Sequence, residues 1–191
     1  MGDVAGHGLM SGLVMLMIQS MVAATVSQRR SALPSEIVVA VNAILRTNVR
    51  RRLRRDDHAS LVLLRYENSG KVTFAGFHEE ILIWRRKTAA WERIETSGVW
   101  VGAVADVAHA IKDAEFTLEE DDLLVLYTDG AVEATNARSE QFGVERLCRA
   151  VGACIAESPE AICRAVVEHV RAWAPSQVDD ISILVARQRR S

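Results

Sequence analysis

The sequence lacks the features of several specialised protein classes. It has three prolines and no internal repeat, low-complexity run or proline-rich linker, which excludes repeat arrays and long linkers. Its cysteines, Cys148, Cys154 and Cys163, are few, match no zinc-binding spacing and are odd in number, which excludes a complete disulfide framework. We therefore expect free, buried thiols in a reducing compartment.

An excess of charge of either sign is lacking as well. The formal net charge of −2 and the pI of about 6.2 exclude a global field that would draw the chain to nucleic acid or an anionic membrane. No basic region opens the N-terminus, where Asp3 stands instead, so we expect a cytoplasmic protein without a signal peptide. The 191 residues, 49% of them apolar, predict a single domain over residues 1–191.

One long stretch lacks charge altogether. No residue between His7 and Arg29 is charged, and Leu9 to Val26 is nearly long enough to span a bilayer. A membrane span and a core helix are both compatible with that length. Polar residues within the stretch, such as Gln19, and the lack of an aromatic belt favour a helix buried on most sides and no membrane span.

Hydrophobic periodicity predicts helices at both ends of the chain and short strands between them. A second helix is predicted from an N-cap at Ser35 toward Leu53, and further helices near Val144–Ala156 and Pro159–Trp173. The predicted strands are Ala59–Tyr66, Val72–Phe77, Ile81–Arg85, Ala90–Ile94, Lys112–Leu118, Asp122–Tyr127 and Ile181–Ala186. Antiparallel hairpins between helix pairs predict a mixed α and β fold with helix-covered sheets.

Arginines are concentrated at the far end of the second predicted helix. The run comprises Arg46, Arg50, Arg51, Arg52, Arg54 and Arg55. The helix dipole favours cations at a C-terminus, which predicts a solvated helix end or a docking surface. Nucleic-acid binding is the alternative, which we do not favour.

Three aspartates, Asp3, Asp129 and Asp179, stand where an apolar strand would deliver them to a loop. Converging carboxylates are costly to desolvate unless a cation meets them, and they form a site for a hard divalent ion. Mn²⁺ or Mg²⁺ is therefore expected. Gly6 and Gly8 would let the backbone turn into the first helix, whose free amides suit an anion. A metal beside an anion site suits phosphate chemistry.

Five segments of the chain carry motifs in a fixed order and spacing. They are GDVAGHGLMSGLVM from Gly2, FAGFHEEILIWR (Phe74–Arg85), SGVWVGAV (Ser97–Val104), LLVLYTDGAVEATNARSEQFGVERL (Leu123–Leu147) and DDISILVAR (Asp179–Arg187). Together they resemble the SpoIIE-type branch of the metal-dependent (PPM) protein serine/threonine phosphatases. The resemblance implies an α+β fold, a four-layer α-β-β-α sandwich of two antiparallel sheets flanked by helices, with a two-metal centre that activates water.

The resemblance also implies roles for individual residues. Asp3 would bridge the two metal ions, and the Val4 main-chain carbonyl would bind one of them. Asp129 and Asp179 would complete the other site. Asp180, next to Asp179, would orient these ligands without binding the metal itself.

The histidines and glutamates near these ligands have less certain roles or none. His7 is either a general acid for the leaving serine or threonine oxygen or a structural residue that closes its loop onto the helix. His78, Glu79 and Glu80 follow a predicted strand and receive no chemical role.

The start of the chain departs from the family pattern. Members normally begin with at least two further strands, the first of which carries a ligand of the second metal, and Met1 stands where the second should end. We therefore expect a domain that lacks its first strands, with one metal site incomplete and weak or absent activity. Unpaired edges tend to recruit another chain, which predicts a homodimer through exposed sheet edges.

Two functions follow from these observations. The first is hydrolysis of phosphoserine or phosphothreonine on a bacterial regulatory protein, an anti-anti-sigma factor with a STAS domain, in signal transduction and sigma factor regulation. The alternative is a catalytically degenerate phosphatase-like module that docks a regulator. Metal affinity separates the two, because a docking module does not need three convergent aspartates.

Overall fold

A computed structural model describes residues 1–175 and 179–189 of the chain. It contains two compact units, the first comprising Met1–His78 and Thr96–Thr117, the second Glu79–Glu95 and Leu118–Ser191. Each unit has one four-stranded antiparallel sheet and its own helices. The predicted α+β class with two antiparallel sheets is confirmed, and the single domain over residues 1–191 stays a prediction.

Strands and helices are numbered separately along the chain. The strands are β1 (Gly2–Val4), β2 (Ala59–Tyr66), β3 (Lys71–Phe77), β4 (Ile81–Arg85), β5 (Ala90–Ile94), β6 (Ala114–Thr117), β7 (Leu123–Tyr127) and β8 (Ile183–Arg187). The helices are α1 (Leu9–Gln28), α2 (Pro34–Asn48), α3 (Asp129–Val132), α4 (Gly143–Ala153) and α5 (Pro159–Trp173). A π-helical turn, Val49–Leu53, continues α2.

The first unit arranges its sheet in the order β1-β2-β3-β6, with every neighbouring pair antiparallel. The register pairs Asp3 with Ser60 and Leu61 with Phe77. Side chains of α1 and α2 form one hydrophobic core with residues of this sheet. Leu63 and Leu64 of β2 are only partly buried, so the predicted cover by helices does not bury all of β2.

The second unit arranges its sheet in the order β5-β4-β7-β8, again antiparallel throughout. All five residues of β7 are buried, as its apolar run predicts. Apolar side chains of α4 and α5 form a second core with this sheet, centred on Leu147, Val151, Ile162 and Val166.

Most predicted elements are present with similar bounds. Ala59–Tyr66, Ile81–Arg85, Ala90–Ile94 and Pro159–Trp173 are observed as predicted. The short helix α3 is not predicted, because an Asp-Gly pair after a strand is more typical of a turn.

The N-cap of α2 differs from the prediction. Leu33, not Ser35, occupies that position, and the Glu36 carboxylate accepts a hydrogen bond from the Leu33 amide at 2.9 Å. Ser35 instead donates its amide to Asp113 at 3.0 Å. Pro34 at the first helical position has no amide proton to satisfy, and the helix starts two residues earlier than it would with a cap at Ser35.

The exposure of α1 also contradicts the prediction of a helix buried on most sides. Val14 and Ile18 are its only buried residues, whereas Leu9 is 81% and Leu16 58% exposed. One face of α1 meets the core of the first unit, and composition alone does not reveal how many faces of an apolar helix are covered. Among the described residues, α1 is long and apolar enough to cross a membrane by length and composition.

The three cysteines are free, as predicted, but they are partly rather than fully buried. Burial raises the pKa of the Cys148 thiol to about 11. This thiol is therefore protonated and unreactive at neutral pH.

Candidate metal centre

In the second unit, the segments that carry Asp129 and Asp179 meet at the ends of adjacent strands. Strand β7 leads directly to Asp129, and β8 follows Asp180 after two residues. Thr128 holds the two segments together, because its amide donates to the Ser182 carbonyl at 3.1 Å and its hydroxyl donates to the Asp180 carbonyl at 3.3 Å. The sequence-predicted pair Asp129 and Asp179 is thus brought together.

Gly130 makes this junction tight. A Cβ atom built on Gly130 would lie 2.3 Å from the Asp180 carbonyl oxygen and 3.4 Å from the Asp179 Cβ. No side chain fits in that space. Each of the two carboxylates also accepts the amide of the following residue, Asp129 from Gly130 at 2.8 Å and Asp179 from Asp180 at 2.9 Å. These bonds orient the carboxylates.

Glu79 adds negative charge beside Asp129. Burial is the main cause that raises the pKa of its carboxyl, and the charges of Asp129, Glu133 and Glu80 raise it further. Carboxylates concentrated in this way are stabilised when a cation neutralises them. Glu79 has no predicted role, because only the pairing of β4 with β7 brings it near Asp129.

In the first unit, Asp3 lies within β1 rather than after a strand. The Ser60 hydroxyl lies between its backbone and a histidine: it is 3.3 Å from the Asp3 amide and 2.8 Å from His78 Nδ1. His78 is held in turn by Thr96, whose hydroxyl accepts the His78 amide at 2.9 Å. His78 is not among the predicted site residues, because the register of β1, β2 and β3 creates its contact with Ser60.

The main chain of Val4 is directed toward the outer edge of β1. On either side of Val4, the Met1 amine donates to the Val62 carbonyl of β2 and the Ala5 amide to the carbonyl of His58, the residue before β2, both at 3.0 Å. In an antiparallel pair, the backbone N–H and C=O groups of successive residues point alternately toward and away from the partner strand, so the Val4 carbonyl points away from β2. That orientation suits the role of metal ligand.

His7 lies in an exposed loop before α1. Gly6 and Gly8 on either side both have a φ of 91°, which confirms the predicted tight turn. Within residues 1–175 and 179–189, no hydrogen bond of the His7 ring is found, and no side chain caps the start of α1. The choice between its two predicted roles stays open.

The candidate ligands have the chemistry that the expected metal prefers. Carboxylate oxygens and a main-chain carbonyl are hard ligands that suit Mn²⁺ or Mg²⁺. Asp3 and Val4 belong to one unit, and Asp129 and Asp179 to the other. In the part of the chain that the structure describes, no group of three or more His, Cys, Asp or Glu side chains could hold a metal ion. The incomplete second metal site stays a prediction.

The family model for stage II sporulation protein E matches residues 1–189. The chain belongs to the SpoIIE family. Membership of this phosphatase family confirms the resemblance carried by the motifs around Asp3, Asp129 and Asp179.

Solved structures share the fold of this SpoIIE-family chain. The SiaA-PP2C domain of Pseudomonas aeruginosa has a TM-score of 0.78 and 18% identity, over 97% of this chain and 73% of the other. A Mycobacterium tuberculosis protein with RsbU and RsbW domains has a TM-score of 0.74 and 18% identity, over 100% of this chain and 51% of the other. The catalytic domain of PstP, solved with two manganese ions, has a TM-score of 0.69 and 12% identity, over 97% and 85%.

These structures confirm a PP2C-type serine/threonine phosphatase fold. No curated protein sequence matches the chain.

Proposed function

We propose that this SpoIIE-family domain hydrolyses phosphoserine or phosphothreonine on a bacterial regulatory protein of the STAS anti-anti-sigma type. The observation that carries the proposal is the junction in the second unit, where Gly130 and Thr128 hold the Asp129 and Asp179 segments together. A solvated turn needs neither a glycine in contact with a carbonyl oxygen nor two carboxylates held by hydrogen bonds. They suit a preorganised cation site.

Candidate ligands are present in each unit. Asp3 and the Val4 carbonyl would serve in the first unit, and Asp129 and Asp179 in the second. Bound Mn²⁺ or Mg²⁺ supplies a water of lowered pKa and neutralises charge on the phosphoryl oxygens. Asp180 fixes the backbone around Asp129 by accepting from Thr128, and His7, in its exposed loop, is the candidate that would donate a proton to a leaving oxygen.

The regulatory nature of the substrate is supported by relatives. The M. tuberculosis neighbour combines RsbU and RsbW domains in one chain, and another neighbour, PppA of P. aeruginosa, is described as a regulatory component of T6SS. We place this chain by analogy in bacterial signal transduction. A cytoplasmic location, without membrane or nucleic-acid binding, is proposed from its composition and charge.

Substitution of Asp129 by asparagine is expected to remove Mn²⁺ binding and any turnover. Asparagine keeps the size of the side chain but loses the charge that a hard cation needs. Titration calorimetry with Mn²⁺ and hydrolysis of para-nitrophenyl phosphate in the same samples measure both effects. We expect a loss of affinity of at least about tenfold.

Glu168→Gln is the matched control, because it removes one negative charge from an exposed position of α5 in the same unit. It should leave Mn²⁺ affinity unchanged. Mn²⁺ binding without turnover in the parent chain would support the incomplete two-metal site. No Mn²⁺ binding in the parent would overturn the proposed function and favour the degenerate docking module.

We also propose a homodimer formed through sheet edges. The edge strands are β1 and β6 in one sheet and β5 and β8 in the other, and Leu184 of β8 is 45% exposed. Lysine on an edge strand opposes pairing with a second chain. Leu184→Lys should therefore lower the dimer fraction measured by light scattering. If Leu16→Lys on α1 lowers it instead, the exposed helix face forms the dimer and the sheet-edge proposal is wrong.

A further inference from the structure

The arginine-rich end of α2 carries more positive charge than the unit neutralises. Arg50 pairs with Asp56 at 3.1 Å, and Arg55 pairs with Asp57 at 2.6 Å. Arg51, Arg52 and Arg54 are exposed, and none of them has an ion pair among the described residues. Three guanidinium groups of one short segment are thus exposed to solvent and form no ion pair with a carboxylate of the described residues.

The backbone holds this segment in a defined conformation. The π-helical turn Val49–Leu53 is anchored by the buried Val49, and Leu53 packs against the core of the first unit. Arg54 adopts a left-handed conformation with φ 55°, and the Arg55 amide donates to the Val49 carbonyl at 3.1 Å. π turns are rare and occur frequently at functional sites, and the left-handed Arg54 ends this one as its C-cap.

A large aromatic side chain is exposed in the same unit. Trp100 is 50% exposed, and its ring lies 5.7 Å from the rings of both His58 and Phe77. Its loop is fixed by the buried Asn42, which accepts the Gly102 amide at 2.8 Å. A half-exposed tryptophan on a rigid support, with arginines in the same unit, has the composition of a protein-binding hot spot.

The segment that follows the arginines borders the candidate ligands of the first unit. A cavity of about 330 Å³ is lined by Ala5, Arg55, Asp56, Asp57 and His58. Ala5 directly follows Val4, and its amide donates to the His58 carbonyl at 3.0 Å. An extended peptide advances about 3.3 Å per residue, so residues flanking a phosphoserine held near Val4 would reach this surface within a few positions.

We propose that Arg51, Arg52, Arg54, His58 and Trp100 form a docking surface for an acidic segment next to the phosphorylated residue of the protein substrate. The proposal rests on the phosphatase function proposed above. Unpaired arginines attract carboxylates and speed encounter, and the tryptophan supplies apolar contact area. The surface therefore selects substrates by the charge that flanks the phosphoserine or phosphothreonine.

Peptide binding to the full chain tests this surface separately from catalysis. The probes are two fluorescein-labelled phosphoserine peptides, one with Asp and Glu on both sides and one with Gln and Ser, measured by polarisation in EDTA so that metal-dependent hydrolysis cannot occur. We expect the acidic peptide to bind at least about tenfold more tightly, and more weakly as salt rises. Combined Arg51→Ser, Arg52→Ser and Arg54→Ser should abolish that preference, and Trp100→Ala should weaken binding of both peptides.

The control removes three exposed arginines of the second unit by Arg138→Ser, Arg149→Ser and Arg164→Ser. This control variant lowers the net charge by the same three units as the first triple variant, and it should keep the preference for the acidic peptide. Equal affinity for the two peptides, or an equal loss in the control, would overturn the docking surface. Tighter binding of a single-stranded oligonucleotide than of the acidic peptide would also overturn it, in favour of a nucleic-acid surface.

Failure of this proposal can be distinguished from failure of the proposed function. Mn²⁺-dependent turnover of para-nitrophenyl phosphate without any acidic preference would overturn the docking surface alone. Acidic preference in a chain that neither binds Mn²⁺ nor turns over substrate would support the surface and overturn the phosphatase function.

Discussion

Replacing Gly130 with alanine is expected to abolish Mn²⁺ binding and to destabilise the second unit. The added methyl group would lie 2.3 Å from the Asp180 carbonyl oxygen, well inside van der Waals contact, and the clashing atom is main chain rather than a flexible side-chain end. The segments of Asp129 and Asp179 must therefore separate. We expect a loss of Mn²⁺ affinity of at least about tenfold by calorimetry and a cost of about 2–4 kcal/mol in urea unfolding.

Gly152→Ala is the control for this variant. Gly152 lies in α4 of the same unit, and a Cβ there would meet no atom within 4 Å. Alanine in a helix is favoured over glycine by about 0.5–1 kcal/mol, so this variant should be slightly more stable and bind Mn²⁺ normally. If Gly130→Ala binds Mn²⁺ as tightly as Gly152→Ala does, the junction at Gly130 is not part of a metal site.

The strands and the acidic motifs could be predicted because each depends on local chemistry. The apolar run of β7 is long enough for one buried strand, and the Thr-Asp-Gly that follows must lie at its end. The same argument places Asp179 and Asp180 before β8. The Asp129 and Asp179 segments lie together because β7 pairs with β8 antiparallel, so that the end of β7 lies beside the start of β8.

Other features of the site depend on pairing between segments that are distant in sequence. The contact of Ser60 with His78 requires the register of β1, β2 and β3, and a shift of one residue would send these side chains to the other face. Likewise, the apolar composition of α1 is compatible with a buried helix, a membrane helix or an exposed face. Only the packing of the first unit shows that Leu16 is 58% exposed.

Replacing Gly76 with alanine is expected to have the largest effect on the first unit. Gly76 is the second-last residue of β3 and has φ 107°, and an added Cβ would lie 2.1 Å from the Leu61 carbonyl oxygen of β2. Both the left-handed backbone and the clash oppose a side chain, so we expect a cost of about 3 kcal/mol or more. Urea unfolding gives the total cost, and hydrogen exchange measured by mass spectrometry shows where protection is lost.

That loss should be confined to β2 and β3, with β7 of the second unit unaffected. Gly12→Ala in α1 is the control, since a Cβ at Gly12 meets nothing within 4 Å, and it should stabilise the unit slightly. Ser60 and His78 lie next to the clash, at the end of the strand pair where Leu61 faces Phe77, so a shift of β3 against β2 must alter their 2.8 Å contact beside Asp3. Retained protection of β2 and β3 in Gly76→Ala would show that the strands can move apart there, and that Gly76 does not fix the register on which this contact depends.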